Sequence, residues 1–144
     1  MFGWNEKYQT LSIYAFDRIL SLKNANIKFR KNTNINFKAY FKDIIGVTKL
    51  NDGKQKETIQ LRFEANRFPY VLSKPLHSSQ KVVNEKEHII SITVKPNNEL
   101  NQLIFSFIPD AEVLSPTWYR EEIKGKIEEN FKKYLAVQKD RTKE

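Results

Sequence analysis

Thr58-Ile59-Gln60-Leu61-Arg62-Phe63-Glu64-Ala65 is the stretch that decides the fold. Ile59, Leu61 and Phe63 alternate with polar Gln60 and Arg62, the period of two expected of a strand with one buried face. Working outward, Arg67 to Leu72 reads as a short helix stopped before Pro75, where the ring disfavours helical backbone at the preceding residue. Ser79 to Asn84 and His88 to Lys95 read as a hairpin turning at Asn84-Glu85-Lys86-Glu87, with Ile90, Ile92 and Val94 on one face. Leu100, Leu103, Ile104 and Phe107 recur at helical spacing across Asn98 to Phe107, with Asn98 available as the cap. Glu112-Val113-Leu114 supplies a last strand.

The order is therefore βαββαβ, a ferredoxin-like split βαβ arrangement in an α+β chain. A long helix follows, from 116 to about 137. Ser115 is placed to cap it, Pro116 suits its first position, Glu121 and Glu122 lie early, and Lys132 and Lys133 lie late, as the helix dipole favours. Tyr119, Ile123, Ile127, Phe131 and Tyr134 recur every three or four residues, a stripe that calls for burial against the sheet of its own domain or against a second subunit. Beyond Val137 the charged tail is expected to fray.

Upstream, Asn51-Asp52-Gly53-Lys54 reads as a turn and sets a domain boundary near residue 50. A short helix is expected from about Asn36 to Ile45, ended by Gly46, with Phe37, Tyr40, Phe41, Ile44 and Ile45 on its apolar face. Trp4 to Leu22 holds two β-prone runs around Asn5-Glu6-Lys7, so a hairpin is expected there, its second strand reaching Tyr14-Ala15-Phe16-Asp17-Arg18-Ile19. Two strands alone are marginally stable in water, which makes this hairpin dependent on a hydrophobic face supplied from elsewhere.

Four segments, in order, carry a resemblance. Tyr14 to Ile19 resembles the closing strand of the WYL domain of bacterial transcriptional regulators. Phe37-Lys38-Ala39-Tyr40-Phe41 through Gly46-Val47 is similar to the linker helix that follows it. Leu61-Arg62-Phe63, Pro75-Leu76-His77-Ser78-Ser79-Gln80 and Ala111-Glu112-Val113-Leu114-Ser115-Pro116 resemble landmarks of the C-terminal extension called the WCX domain. Ser12 stands where many members carry arginine, Ile108 where glycine is common, and Trp118-Tyr119 precedes Arg120 where leucine is usual. The resemblance implies residues 1–22 as the terminal hairpin of a truncated WYL domain, 23–50 as a basic linker with a short helix, and 51–144 as a ferredoxin-like WCX domain. It implies a regulatory, effector-sensing and oligomerising portion of a regulator, a homodimer whose DNA is read by a winged helix-turn-helix missing from this stretch.

Charge carries the second expectation. The 144 residues hold 25 Lys plus Arg against 17 Asp plus Glu, a formal charge of +8. Between Lys23 and Lys49 lie Lys23, Lys28, Arg30, Lys31, Lys38, Lys42 and Lys49 against Asp43 alone, interleaved with Phe29, Phe37, Tyr40 and Phe41. A surface that tracks phosphates and stacks bases has this composition, and so does a solvated linker whose aromatics point inward. Lys23, Lys28, Arg30 and Lys31 are therefore candidate contacts to a nucleic acid or nucleotide effector. Arg18, which the resemblance puts on the barrel-closing strand, joins them, since a guanidinium grips phosphate bidentately; an ion pair with Asp17 is the competing role. A standalone basic nucleic-acid-binding module is the alternative reading. RNA-recognition motifs share the sheet topology, but they expose strand aromatics, and Phe63 is the sole strand aromatic of the βαββαβ segment.

Enzyme chemistry is not expected. His77 has no carboxylate near it in sequence and is read, with Arg62 and Gln80, as part of a structural motif; His88 begins a strand. Two separate histidines and zero cysteines provide neither a metal site nor a thiolate nucleophile, and no cofactor is implied. Glu121-Glu122 and Glu128-Glu129 diverge around a helix, and the four glycines form no phosphate-cradling loop. Arg62 and Asn66 on such a sheet resemble the arginine and asparagine of acylphosphatases, without a matching phosphate loop. No run reaches the ~20 apolar residues of a membrane span, and no secretory leader pattern opens the chain, so a soluble cytoplasmic protein is expected.

Overall fold

The computed structural model describes residues 2–24, 26, 28, 31–32, 35–48 and 55–140, with side chains to residue 136. It divides into two compact units, one ending at Asn34 and one beginning at Ile35. The Asn51 to Lys54 turn expected from sequence lies outside the described residues.

The first unit is a hairpin of β1 (Phe2–Asn5) and β2 (Thr10–Ile13), paired antiparallel from Phe2↔Ile13 to Asn5↔Thr10. Asn5 makes the turn: its Oδ1 accepts from the backbone N–H groups of Lys7 and Tyr8, and Gln9 takes a left-handed φ of 48°. The expected continuation of the second strand through Ile19 is not what forms. Phe2↔Ile13 is the last rung, and Phe16–Arg18 instead makes a single 3₁₀ turn. Tyr14 to Ile19 leaves the ladder, and Phe16 and Leu20 stay 73% and 100% exposed.

The second unit is a four-stranded antiparallel sheet. Its strands are β3 (Glu57–Phe63), β4 (Lys81–Asn84), β5 (Ile89–Val94) and β6 (Ala111–Ser115), in the spatial order β4-β5-β3-β6. With α2 (Phe68–Ser73) between β3 and β4, and α3 (Asn98–Phe105) between β5 and β6, the expected βαββαβ arrangement is the one observed. Ile59 opposes Ile92, Leu61 opposes both Ile90 and Val113, and Phe63 opposes Ala111, so every alternate residue of β3 faces one core. Phe68 and Val71 of α2, Leu100 and Ile104 of α3, and Tyr119 and Ile123 of α4 (Thr117–Asp140) complete that core from the same side. Each such side chain, fully buried, contributes about 1.5–3 kcal/mol.

Three local expectations change. The 36–45 helix shrinks to α1 (Phe37–Tyr40), capped by Asn36 Oδ1. Asp43 gives its carbonyl to Lys95 N–H at 2.7 Å, and Ile44 is drawn into burial, so chain docking replaces the last helical turns. The cap of α3 is Asn97, whose extended backbone lets its Oδ1 accept from Leu100 N–H at 2.8 Å; Asn98 is already helical. At α4, Ser115 still belongs to β6, and the Pro116 carbonyl accepts the first helical bonds, from Tyr119 and Arg120.

The apolar stripe of α4 is buried only in part. Tyr119 and Ile123 are 0% and 4% exposed, whereas Ile127, Phe131 and Tyr134 are 39%, 61% and 71% exposed. Only the first two turns lie over the sheet. No helix among the described residues is long and apolar enough to cross a membrane.

Candidate functional site

The candidate basic contacts fall into two sets. Lys23, Lys28 and Lys31 are exposed, and Arg18 is exposed at the end of the 3₁₀ turn, its backbone N–H bonded to the Ala15 carbonyl at 3.3 Å. Arg30 lies outside the described residues. Arg62 belongs to the outward face of β3, where its Nη1 meets Glu112 Oε2 at 3.2 Å across the β3–β6 rung. Arg120 of α4 holds the other carboxylate oxygen at 2.7 Å and donates to the Val113 carbonyl. One carboxylate thus bridges two guanidiniums and ties α4 to the edge strand. All three side chains are nearly half exposed, so each pair contributes less than about 1 kcal/mol.

His77 and Gln80 sit in the turn between α2 and β4. Ser79 N–H donates to His77 Nδ1 at 3.1 Å, which leaves the neutral ring its proton on Nε2. Ser79 Oγ in turn accepts from Thr93 N–H at 2.8 Å, fastening the turn to β5. Gln80 spans the turn, accepting from Leu76 N–H at 2.9 Å and donating to the Val71 carbonyl at 3.0 Å. These contacts use Nδ1 of His77 and both ends of the Gln80 amide to fasten the turn. Among the described residues no cluster of three or more acidic or histidine side chains could hold a metal ion.

Two polar arrangements escaped sequence reasoning. In the first, α3 receives the segment after α1: Asn97 Nδ2 donates to the carbonyls of Ile45 and Thr48, and Glu99 Oε1 accepts from Val47 and Thr48 N–H at 3.4 and 3.0 Å. Gly46 makes the approach possible, with φ of 73° and space so tight that an added Cβ would lie 2.8 Å from Glu99 Cγ. Burial opposes charge on Glu99, but hydrogen bonds from the Thr48 side chain and from the Thr48 and Val47 backbone outweigh it and hold its carboxyl below the ordinary range. In the second, buried Tyr119 Oη donates to Asn101 Oδ1 at 2.6 Å, and Asn101 Nδ2 donates to Glu122 Oε1 at 3.0 Å. Desolvation, then the Glu122 charge, pushes the Tyr119 phenol well up. Glycine before a helix-starting acid, and a tyrosine on the apolar stripe, were the available signals; neither names its partner.

Between α3, β6 and α4 runs an open groove of about 200 Å3, lined by apolar Ile104, Ile108, Ala111, Val113, Ile123 and Ile127 and by charged Glu112, Arg120, Lys124 and Glu128. Phe131 lies one turn beyond it, on the same helix face. Through Ile127 the apolar wall of the groove continues into the exposed stripe.

The family model for the WCX domain matches residues 55–129, just over half of the chain, from the start of β3 into the middle of α4. No curated protein matches this chain.

Proposed function

The chain belongs to the WCX domain family, found in WYL-type transcriptional regulators, and from that premise we propose that it is a non-catalytic, effector-sensing and oligomerising portion of such a regulator. DNA reading is assigned to a winged helix-turn-helix carried elsewhere in the regulator, and the working compartment to the cytoplasm. The observation that carries this reading is the WCX match, which spans the whole βαββαβ sheet and the buried first turns of α4. The exposed lysines Lys23, Lys28 and Lys31, with Arg18, are the proposed contacts to a nucleic acid or nucleotide effector.

Anisotropy of a labelled single-stranded oligonucleotide, measured at several salt concentrations, tests the effector contacts. Binding through these lysines gives an affinity that falls with salt. Each phosphate neutralised on a single strand adds roughly 0.7 to the log–log slope, so replacing all three lysines by glutamine flattens it by about 2. An unchanged slope, or no binding at low salt, removes the lysines from the proposal.

A further inference from the structure

We propose that α4 pairs antiparallel with α4 of a second copy of this chain, so that Phe131 of each copy fills the groove of the other. This deepens the oligomerising half of the proposed function and rests on that reading. A 24-residue helix contributes only its first turns to the core of its own unit, leaving Ile127, Phe131, Tyr134 and Leu135 at 39%, 61%, 71% and 47% exposed. On a helix of 100° per residue, Ile127, Phe131 and Tyr134 share one face, and that face continues into the groove beside Ile123.

Charge suits a second copy of the same helix, laid antiparallel. Along one flank of the stripe the order is Glu121, Lys124, Glu128, Lys132. In a parallel pair this flank would face the opposite one, of Glu122, Lys126, Glu129 and Lys133; only antiparallel packing sets it against its own copy. An antiparallel copy centred near Ile127 sets Glu121 opposite Lys132 and Lys124 opposite Glu128, and by symmetry repeats both pairs. Set antiparallel against its own copy, the flank is self-complementary.

The same register delivers an apolar occupant. Phe131 lies four residues beyond Ile127, about 6 Å along the axis, and Ile123 four residues before it. Antiparallel pairing therefore brings Phe131 of one copy to within about 2 Å of the level of Ile123 of the other, at the groove. An apolar cavity of about 150 Å3 accepts benzene, so a groove of about 200 Å3 has room for a phenyl ring.

Sedimentation velocity on the full chain, across a concentration series, tests this. The expected species is a dimer that Phe131→Asp converts to monomer with the far-ultraviolet spectrum retained. Two flank variants, Glu121→Lys with Glu128→Lys, and Lys124→Glu with Lys132→Glu, change only exposed residues. Each alone is expected to be monomeric, and their mixture to form a one-to-one heterodimer. A chain that is monomeric at its highest soluble concentration overturns the pairing, as does a dimer indifferent to Phe131→Asp, or flank variants that do not associate on mixing. Salt-dependent oligonucleotide binding by a monomeric chain would sink the helix pairing while leaving the effector reading in place.

Discussion

Replacing Gly46 by alanine probes the contact that holds the 43–48 segment on α3. The residue sits at φ 73°, where a β-carbon costs about 1–2 kcal/mol. The new methyl would lie 2.8 Å from Glu99 Cγ and 3.0 Å from its Cβ, so the glutamate must move and release the Val47 and Thr48 N–H groups. Those bonds to a carboxylate contribute about 1.5–3 kcal/mol together, at the lower end because the site is open to solvent. Alanine returns about 0.4–1 kcal/mol by restricting the unfolded chain. The net loss is about 2–3 kcal/mol, or a drop of roughly 10 °C in midpoint for a unit of this size. Urea unfolding followed by circular dichroism measures it, and hydrogen exchange at Lys95 N–H, which bonds the Asp43 carbonyl at 2.7 Å, reports whether the segment undocks first. In a Glu99→Ala background only the backbone strain is left, so the same substitution is expected to cost about 1 kcal/mol. A full-sized loss in that background would show that Glu99 is not the partner Gly46 serves. Because the Glu99 carboxyl is held low when folded, its contribution is present above the ordinary carboxylate range and fades as pH falls through the lowered value, so the difference between Gly46→Ala and the parent narrows in acid.

Tyr119 predicts the opposite pH dependence. Its phenol is raised above 10.0 in the folded state, so its contribution is complete below pH 10 and declines above it by about 1.4 kcal/mol per pH unit, a slope that Tyr119→Phe removes in alkaline unfolding titrations. At neutral pH that variant leaves Asn101 Oδ1 without its buried donor and costs about 1–3 kcal/mol; no measurable loss by urea titration would refute the network. Gln80→Ala strands Leu76 N–H and the Val71 carbonyl together and is expected to lower stability by about 2–4 kcal/mol in the same assay. Arg120→Ala, by contrast, removes half-exposed ion pairs and should change stability by less than about 1 kcal/mol beyond the loss of its bond to the Val113 carbonyl; a far larger loss in thermal melts would mean that the Arg62–Glu112–Arg120 chain is structural.

The sheet was legible because its information is local. Ile59, Leu61 and Phe63 carry a period of two that no other backbone satisfies, Ile90, Ile92 and Val94 repeat it, and helical spacing between them fixes the order βαββαβ. Periodicity failed where contacts from outside the segment decided its backbone. Tyr14 to Ile19 has strand-like residues, yet the ladder ends at Ile13 and Phe16–Arg18 turns instead. The 36–45 segment has a helical apolar face, yet the chain after Tyr40 unwinds because Lys95 and Asn97 bind its carbonyls.

Residue types along the chain were enough to set the strands, the helices and the direction of the α4 charge gradient, since each depends on neighbours a few positions away. Which of the stripe residues the core would take depended on where β6 ends and how far α4 outruns the sheet, and that is a matter of geometry between elements. Tyr119 and Ile123 fall over β6 and are buried; Ile127, at the groove, and Phe131 and Tyr134 beyond it carry the same pattern and stay exposed.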